Sequence, residues 1–168
     1  GTKRIKEVTQ KTALAYLDLV PANTKLFGAE VELVDIQNRE RILRDSLEEI
    51  RGTYEYILVD CPPSLTLLTI NALTAADSIL IPIQCEYYAM EGLAQMLELL
   101  RQARDRHNPK LDVHGILFSM YERGLPYADE VAAEVRYHCS AQVYECAIPR
   151  DTLLSEAPSH GKPIIHYA

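Results

Sequence analysis

Short apolar runs alternate with longer, more polar stretches along this chain. The runs are bounded by proline or charged residues, which predicts strands at residues 17–21, 56–60, 78–82, 113–120, 142–148 and 163–167. Most of the stretches between them carry apolar residues at intervals of three or four, which predicts helices at residues 28–51, 65–76, 87–106 and 127–138. Strands that alternate with helices predict an α/β fold, with a mostly parallel sheet and helices on both faces.

One apolar run ends on a carboxylate that is followed at once by two prolines. Residues 57–59 are Ile-Leu-Val, and they precede Asp60, Cys61, Pro62 and Pro63. Such a run is typical of a strand buried in a parallel sheet, and open α/β sheets bind their ligands at the carboxyl ends of the strands. A carboxylate there can hold a nucleotide-bound Mg²⁺, directly or through water. The alternative role for Asp60 is a helix cap or a turn, both common for aspartate at strand ends.

Composition and charge fit one soluble globular domain and disfavour several functions. The chain has 168 residues, of which 48% are hydrophobic and 24% are charged, and it contains no apolar run long enough to span a membrane. The net charge of −7 makes the chain as a whole a poor partner for DNA phosphates. The four cysteines form no CxxC pair and the five histidines are scattered. We therefore expect reduced thiols in a cytoplasmic protein and no metal site built from imidazoles.

Three long stretches resemble the ParA/Soj group of deviant Walker ATPases, which segregate plasmids and chromosomes. They are ILVDCPPSLTLLTINALTAADSILIPIQCEYYAMEGL at residues 57–93, LDLVPANTKLFGAEVELV at 17–34 and IPRDTLLSEAPSHGKPII at 148–165. The resemblance covers nearly the whole chain and implies a P-loop NTPase-like fold that binds ATP and Mg²⁺. It also implies that Asp60 is the Walker B carboxylate, both catalytic and metal-binding. Cys61, Pro62 and Pro63 would begin the switch that senses the γ-phosphate, and the two prolines would stiffen it.

Two further groups of residues follow predicted strand ends. Pro149 and Arg150 match the segment that lies beside the adenine base in ParA relatives, where backbone groups can read the base edge and a proline ring can pack on its face. The alternative is a strand terminator followed by a surface arginine. Glu86, Tyr87 and Tyr88 could line the nucleotide or a dimer face, or the two tyrosines could be partly buried with their hydroxyls hydrogen-bonded.

The phosphate-binding motifs of the family do not occur in these residues. ParA proteins carry a GKGGVGKT-type loop and a second aspartate motif, DxDPQ, whereas the only Gly-Lys pair here, at residues 161–162, is not part of a glycine-rich loop. We expect residues 1–168 to form a single domain that is the C-terminal portion of a ParA-like ATPase, without the phosphate loop and the final helix. We expect this portion to be inactive by itself.

The sequence departs from the resemblance at two positions where ParA relatives carry arginine. Gly124 and Leu153 stand there. Each lost phosphate contact weakens DNA binding and its salt dependence, so binding to non-specific DNA is doubtful. Arg123, one position earlier, and Arg136, on a nearby predicted helix, are candidate substitutes for DNA contact. The alternative is that both are ordinary solvated charges.

Taken together, the resemblance implies an ATPase of chromosome or plasmid partitioning. In the intact protein, Mg²⁺-dependent ATP hydrolysis would be coupled to formation of an ATP-bound dimer in the bacterial cytoplasm or on the nucleoid, with a ParB-type protein as activator and no membrane partner. One alternative is a non-catalytic, truncated ParA-like interaction module, which an upstream reading frame with a phosphate loop would exclude. Another is a MinD-like membrane-cycling ATPase, but SEAPSHGKPI at residues 155–164 favours ParA over MinD.

Overall fold

The computed structural model describes residues 3–62, 64, 66–139 and 142–168. Contacts between residues divide the chain into two compact units. The first comprises Gly1–Asp77 and Leu100–Leu111, and the second comprises Ser78–Leu99 and Asp112–Ala168. The expectation of a single domain over the whole chain stays a prediction.

Helices and strands follow one another in mixed order along the described residues. The α-helices are α1 (Ile5–Val8), α2 (Leu26–Glu32), α3 (Ile42–Leu47), α4 (Leu67–Ala75), α5 (Ala89–Arg106), α6 (Pro126–Cys139) and α7 (Thr152–Glu156). The strands are β1 (Gln10–Lys11), β2 (Asp18–Leu19), β3 (Ser78–Gln84), β4 (Asp112–Tyr121) and β5 (Val143–Pro149). Short 3₁₀ turns lie at Arg39–Arg41, Glu48–Ile50, Ala157–His160 and Ile164–His166. The bounds of α4, α5, α6, β3, β4 and β5 lie within two residues of the sequence predictions.

The single helix predicted at residues 28–51 is wrong. Helix α2 ends at Glu32, and α3 begins only at Ile42. Between them, Asn38 has a φ of 56°, in the left-handed region. A residue in this conformation ends a right-handed helical path, and asparagine is one of the few side chains that adopt it at low cost. The apolar periodicity in this stretch therefore belongs to separate short helices.

A buried amide joins the elements of the first unit. Asn71 in α4 is only 5% exposed. Its side-chain NH₂ group donates to the Arg39 carbonyl at 2.8 Å and to the Leu67 carbonyl at 3.0 Å, and its oxygen accepts the Leu43 N–H at 3.1 Å. One side chain thus connects a 3₁₀ turn and the beginning of α3 to α4, and its donors are fully used.

The strand predicted at residues 56–60 is also wrong. This segment forms neither strand nor helix, and Leu58 is 92% exposed. A β-strand needs a neighbour that pairs its N–H and C=O groups. No strand among the described residues pairs with this segment, so its apolar character is not sufficient to make it a strand.

Two other predicted strands are changed. Residues 163–167 were expected to form an edge strand, but they contain a 3₁₀ turn in which the His166 N–H donates to the Pro163 carbonyl at 2.9 Å. The strand predicted at residues 17–21 is shortened to β2, which pairs antiparallel with β1. In both places the backbone N–H and C=O groups form hydrogen bonds within a local turn or hairpin, and not along a longer strand.

The second unit is built on a parallel sheet with the strand order β3-β4-β5. Its core is formed by the side chains that face inward from strands and helices: Ile81, Ile83, Leu93, Ile116, Phe118, Ala128, Ala132 and Val135. Alternate residues of β3, such as Leu80, are exposed. The fold is therefore α/β, with a parallel sheet flanked by helices, which confirms the predicted fold class.

A β-bulge near the end of β4 redirects the chain. Phe118 pairs with Ala147 and Tyr121 pairs with Pro149, so β4 advances three residues where β5 advances two. The extra residue coincides with Met120, whose φ is 49°. Residues three apart in a regular strand face opposite sides, but here the rings of Phe118 and Tyr121 stack, with centroids 6.0 Å apart. The bulge thus sets the direction in which the chain leaves the sheet.

Candidate functional site

In the first unit, the segment that carries Asp60 borders an open pocket. The pocket has a volume of about 410 Å³ and is lined by Ala22, Asn23, Leu26, Phe27, Asp60, Cys61, Pro62 and Leu68. The structure therefore brings two residues predicted to bind the cofactor, Asp60 and Pro62, to the same pocket. Pro63, the third residue of the predicted switch, lies outside the described residues.

The turn before α2 and the beginning of that helix also line this pocket. The Asn23 side-chain oxygen accepts the Lys25 N–H at 2.9 Å, and the Asn23 carbonyl accepts the Leu26 N–H at 2.9 Å. These two bonds form an Asx turn that leads into the helix. Sequence reasoning missed Asn23 as a site residue, although it lies in the stretch at residues 17–34 that carried the resemblance to the ParA/Soj group.

Asp60 and Cys61 differ in what they can do chemically. Burial, and then the negative charge of Asp60, raise the pKa of the Cys61 thiol. The thiol also donates to the Val59 carbonyl, with an Sγ–O distance of 3.6 Å. Because a protonated thiol is a poor metal ligand and nucleophile, Asp60 is the group at this pocket that is suited to a hard cation.

Pro149 and Arg150 lie in the second unit, at the carboxyl end of β5. The Arg150 N–H donates to the Tyr121 carbonyl at 3.2 Å. The Arg150 guanidinium lies 2.5 Å from Glu122 and 3.7 Å from Glu86, measured between nitrogen and carboxylate oxygen. Pro149 ends β5 and the Arg150 side chain is 51% exposed and paired with two carboxylates, which agrees with the alternative of a strand end followed by a surface arginine. The place of both residues beside the adenine base stays a prediction.

Tyr87 and Tyr88 are exposed, so the alternative of partial burial is wrong for them. Their rings meet edge to face with centroids 5.0 Å apart. They line an open groove of about 520 Å³ in the second unit, beside β3 and the beginning of α5. The role of these residues at the nucleotide or at a dimer face stays a prediction.

The two candidate DNA-binding arginines lie in different environments. Arg123 is exposed in the loop between β4 and α6. Its neighbour Gly124 has a φ of 87°, a conformation that strains any side chain with a Cβ, so an arginine at this position would be strained in this loop. The Arg136 guanidinium lies 4.8 Å from the centroid of the buried Phe118 ring, in a cation–π contact. Arg136 therefore has a packing role, whether or not it also contacts DNA.

Two classes of site are not found in the described part of the chain. No cluster of three or more His, Cys, Asp or Glu side chains is arranged there to hold a metal ion. No described helix is long and apolar enough to cross a membrane.

Several solved structures have a similar fold. A cobyrinic acid a,c-diamide synthase from Mycobacterium smegmatis is 33% identical with a TM-score of 0.80, and the match covers 88% of this chain and 60% of that protein. That protein has been crystallised with ADP and magnesium and with an ATP analogue and magnesium. McdA from Cyanothece, in a complex with ATP, has a TM-score of 0.85 at 18% identity over 96% of this chain, which shows the fold alone.

The class of protein is an AAA-domain protein, because the AAA domain family model matches residues 1–113. The chromosome partitioning protein ParA of Myxococcus xanthus is 52% identical over 97% of the chain, and the sporulation initiation inhibitor Soj of Bacillus subtilis is 48% identical over 96%. The chain belongs to the ParA/Soj family within this class. It spans 58% of the length of the Myxococcus protein and 64% of that of Soj.

Proposed function

We propose that the intact protein is a ParA/Soj-type ATPase of chromosome or plasmid partitioning, and that Asp60 is its Walker B carboxylate. The observation that carries the proposal is the pocket that is lined by Asp60, Pro62 and Asn23. Support comes from two relatives named chromosome partitioning protein ParA, whose alignments cover 97% and 99% of this chain at 52% and 44% identity.

The residues at this pocket fit a magnesium ion. Mg²⁺ is usually held by one or two carboxylates together with waters and substrate phosphates, rather than by a cage of protein ligands. Asp60 at an open pocket supplies one such carboxylate, and no larger acidic cluster is found among the described residues. When bound, the ion would neutralise phosphate charge during phosphoryl transfer. Asp60 would hold it, directly or through water, and Pro62 would stiffen the adjoining loop.

Partners and location follow from the same proposal. We expect the intact protein to form an ATP-dependent dimer, to respond to a ParB-type protein and to act in the cytoplasm or on the nucleoid. The names of the relatives, which include a chromosome-partitioning ATPase Soj from Treponema pallidum, support this setting. A MinD from Pyrococcus horikoshii matches at only 18% identity, so that likeness supports the fold and not a membrane cycle.

The test is ATP hydrolysis by the full-length protein with Asp60→Ala. We expect kcat to fall about 100-fold, which corresponds to about 2.7 kcal/mol, while the melting temperature changes little because the side chain lies at an open pocket and not in the core. Asp35→Ala, which removes another exposed carboxylate of the same unit, is the matched control and should leave kcat unchanged. Near-normal turnover of Asp60→Ala would refute the assignment, and a full-length protein without ATPase activity would favour the non-catalytic module.

A further inference from the structure

The pocket at Asp60 contains a second side chain that can form hydrogen bonds with a ligand. Besides Asp60, the polar side chains among its described lining residues are those of Asn23 and Cys61. The Cys61 thiol already donates its proton to the Val59 carbonyl, with an Sγ–O distance of 3.6 Å. Asn23 is therefore the group that remains to be explained, and it lies in the same unit of the chain as Asp60.

The Asx turn fixes which end of the Asn23 amide is available. Its side-chain oxygen accepts the Lys25 N–H at 2.9 Å, so this end of the amide faces the turn. An asparagine side chain also carries an NH₂ group with two donors, and this group lies at the other end. No described residue accepts a hydrogen bond from the Asn23 NH₂ group. The turn needs only the oxygen, so both donors are available to a ligand.

The chemistry of an NH₂ group restricts what it can bind at this pocket. An amide nitrogen donates and has no free lone pair for a cation. A water molecule held by Mg²⁺ is itself a strong donor, because the cation lowers its pKa, and it needs acceptors. Phosphate oxygens, in contrast, are strong acceptors of hydrogen bonds. A phosphate oxygen beside a cation at Asp60 is therefore the acceptor that suits this amide.

We propose that the Asn23 side-chain NH₂ group donates a hydrogen bond to a phosphate oxygen of the nucleotide whose cation Asp60 holds. The inference rests on the proposed function, since it concerns the same pocket and the same nucleotide. Asn23 takes no part in holding the cation. The Asx turn orients its amide before the nucleotide binds, so little side-chain freedom is lost on binding.

Two substitutions at Asn23 separate donation to the ligand from support of the turn. Asn23→Asp keeps an oxygen that can accept the Lys25 N–H, but it removes the NH₂ group. Asn23→Ala removes both the turn bond and the donors. A purely structural role predicts that only alanine weakens binding, whereas donation predicts that both variants do. Ala22→Asp adds a carboxylate to the lining of the same pocket and leaves the amide intact, so it measures the effect of charge alone.

The experiment uses the full-length protein and two probes. A fluorescent ATP analogue with Mg²⁺ reports on nucleotide binding, and Mn²⁺ without nucleotide, followed by electron paramagnetic resonance, reports on the cation. We expect Asn23→Ala to raise Kd for the analogue about 5-fold, the loss of one hydrogen bond, and to change Kd for Mn²⁺ less than about twofold. Asn23→Asp should raise Kd for the analogue at least as much, and more than Ala22→Asp does.

Two further variants calibrate these measurements. Asp60→Ala should weaken the binding of both probes, because it removes the carboxylate proposed to hold the cation. Gln37→Ala removes an exposed amide of the same unit that does not line the pocket, so it should leave both Kd values unchanged.

Each other outcome contradicts the proposal. An unchanged Kd of Asn23→Ala for the analogue would show that the amide does not touch the nucleotide. Wild-type affinity of Asn23→Asp would limit Asn23 to the turn, and an effect no larger than that of Ala22→Asp would be one of charge. A loss of Mn²⁺ binding in Asn23→Ala as large as in Asp60→Ala would place the role of Asn23 at the cation.

The two proposals at this pocket can fail separately. A wild-type protein that binds neither probe, or an Asp60→Ala variant that binds both normally, would overturn the proposed function and this inference with it. Weakened binding in Asp60→Ala together with any of the contradicting results at Asn23 would overturn the inference alone.

Discussion

At the scale of single residues, Gly115 shows how closely the strands of the second unit approach each other. It lies in β4, and a Cβ built on it would come within 2.3 Å of the Tyr144 ring from β5. Real Cβ atoms do not approach that closely, so any side chain at this position displaces the ring. The glycine is required here by the close approach of a neighbour, and not by an unusual backbone conformation.

Gly115→Ala should therefore lower the free energy of unfolding by about 1–3 kcal/mol, the usual cost of overpacking. Denaturant unfolding of the full-length protein measures it. Gly92→Ala is the matched control, because Gly92 lies in α5 with open space around it, and alanine there should stabilise by up to about 1 kcal/mol through helix propensity. Equal effects of the two substitutions would contradict the role of Tyr144.

At the scale of elements, the short β1–β2 hairpin depends on a polar group of three side chains. Lys11 donates to the Asp18 carboxylate at 2.8 Å, and the Tyr54 hydroxyl donates to the same oxygen at 2.7 Å. The Asp18 side chain is only 10% exposed. These hydrogen bonds, first that from Lys11 and then that from Tyr54, lower the pKa of Asp18 from its ordinary value of 3.8.

The sign of the pH dependence follows from this lowered pKa. The ionised form of Asp18 is favoured by folding, so its stabilising effect is complete above pH 3.8 and is lost as the pH falls through the lowered pKa of the folded state. Asp18→Asn should destabilise the hairpin at neutral pH, and the difference from wild type should shrink in acid. Unfolding measured across the acidic range checks this. A difference that stays constant with pH would show that the ionised carboxylate is not what matters.

The loop between β4 and α6 carries Arg123, the main candidate for contact with DNA. Arg123 is exposed there, and Leu153, where the resemblance to the ParA/Soj group leads us to expect arginine, is 40% exposed in α7. We expect the ATP-bound intact protein to bind non-specific DNA weakly. Arg123→Ala should reduce the slope of log affinity against log salt by about one unit if Arg123 contacts a phosphate. Leu153→Arg should strengthen binding if the surface used by relatives is retained.

Filter binding of non-specific duplex over a range of salt concentrations measures both effects. Arg51→Ala, which removes an exposed arginine from the first unit, is the control for net charge. A slope that Arg123→Ala leaves unchanged would remove Arg123 from the interface. No gain from Leu153→Arg would mean that DNA binds through another surface or not at all.

At the scale of the whole molecule, the question is how much of the nucleotide site lies within these residues. Asp60 offers one carboxylate at an open pocket. A phosphate-binding loop needs several backbone N–H groups and a lysine directed at the phosphates, and the sequence contains no glycine-rich loop of that kind. The described residues thus supply one carboxylate that is proposed to bind the metal, but the sequence offers no glycine-rich cradle for the phosphates.

The 168 residues by themselves should therefore bind Mg-ATP very weakly. Isothermal calorimetry with the isolated chain checks this, with the full-length protein as the positive control. A micromolar dissociation constant for the isolated chain would contradict the prediction. A full-length protein that binds while the isolated chain does not would support it.

Local sequence signals predicted part of the fold and part of the site. Helices α4, α5 and α6 and strands β3, β4 and β5 came from periodicity and from apolar runs, which report on neighbours along the chain. The single helix at residues 28–51 failed because Asn38 takes a left-handed conformation that periodicity does not reveal. Asp60 and Pro62 were predicted together because they lie two residues apart in one motif, whereas Asn23 was missed because it reaches the pocket only through folding.

The sequence by itself determined the family, the alternation of helices with parallel strands and the carboxylate that follows an apolar run. These depend on residue order and on spacings of a few residues. Tertiary structure alone decided that residues 56–60 lack a strand partner, that Asn71 joins α3 to α4, and that Arg150 is paired with Glu86 and Glu122. A hydrogen-bond ladder or an ion pair needs a partner far away in the chain, and only folding chooses that partner.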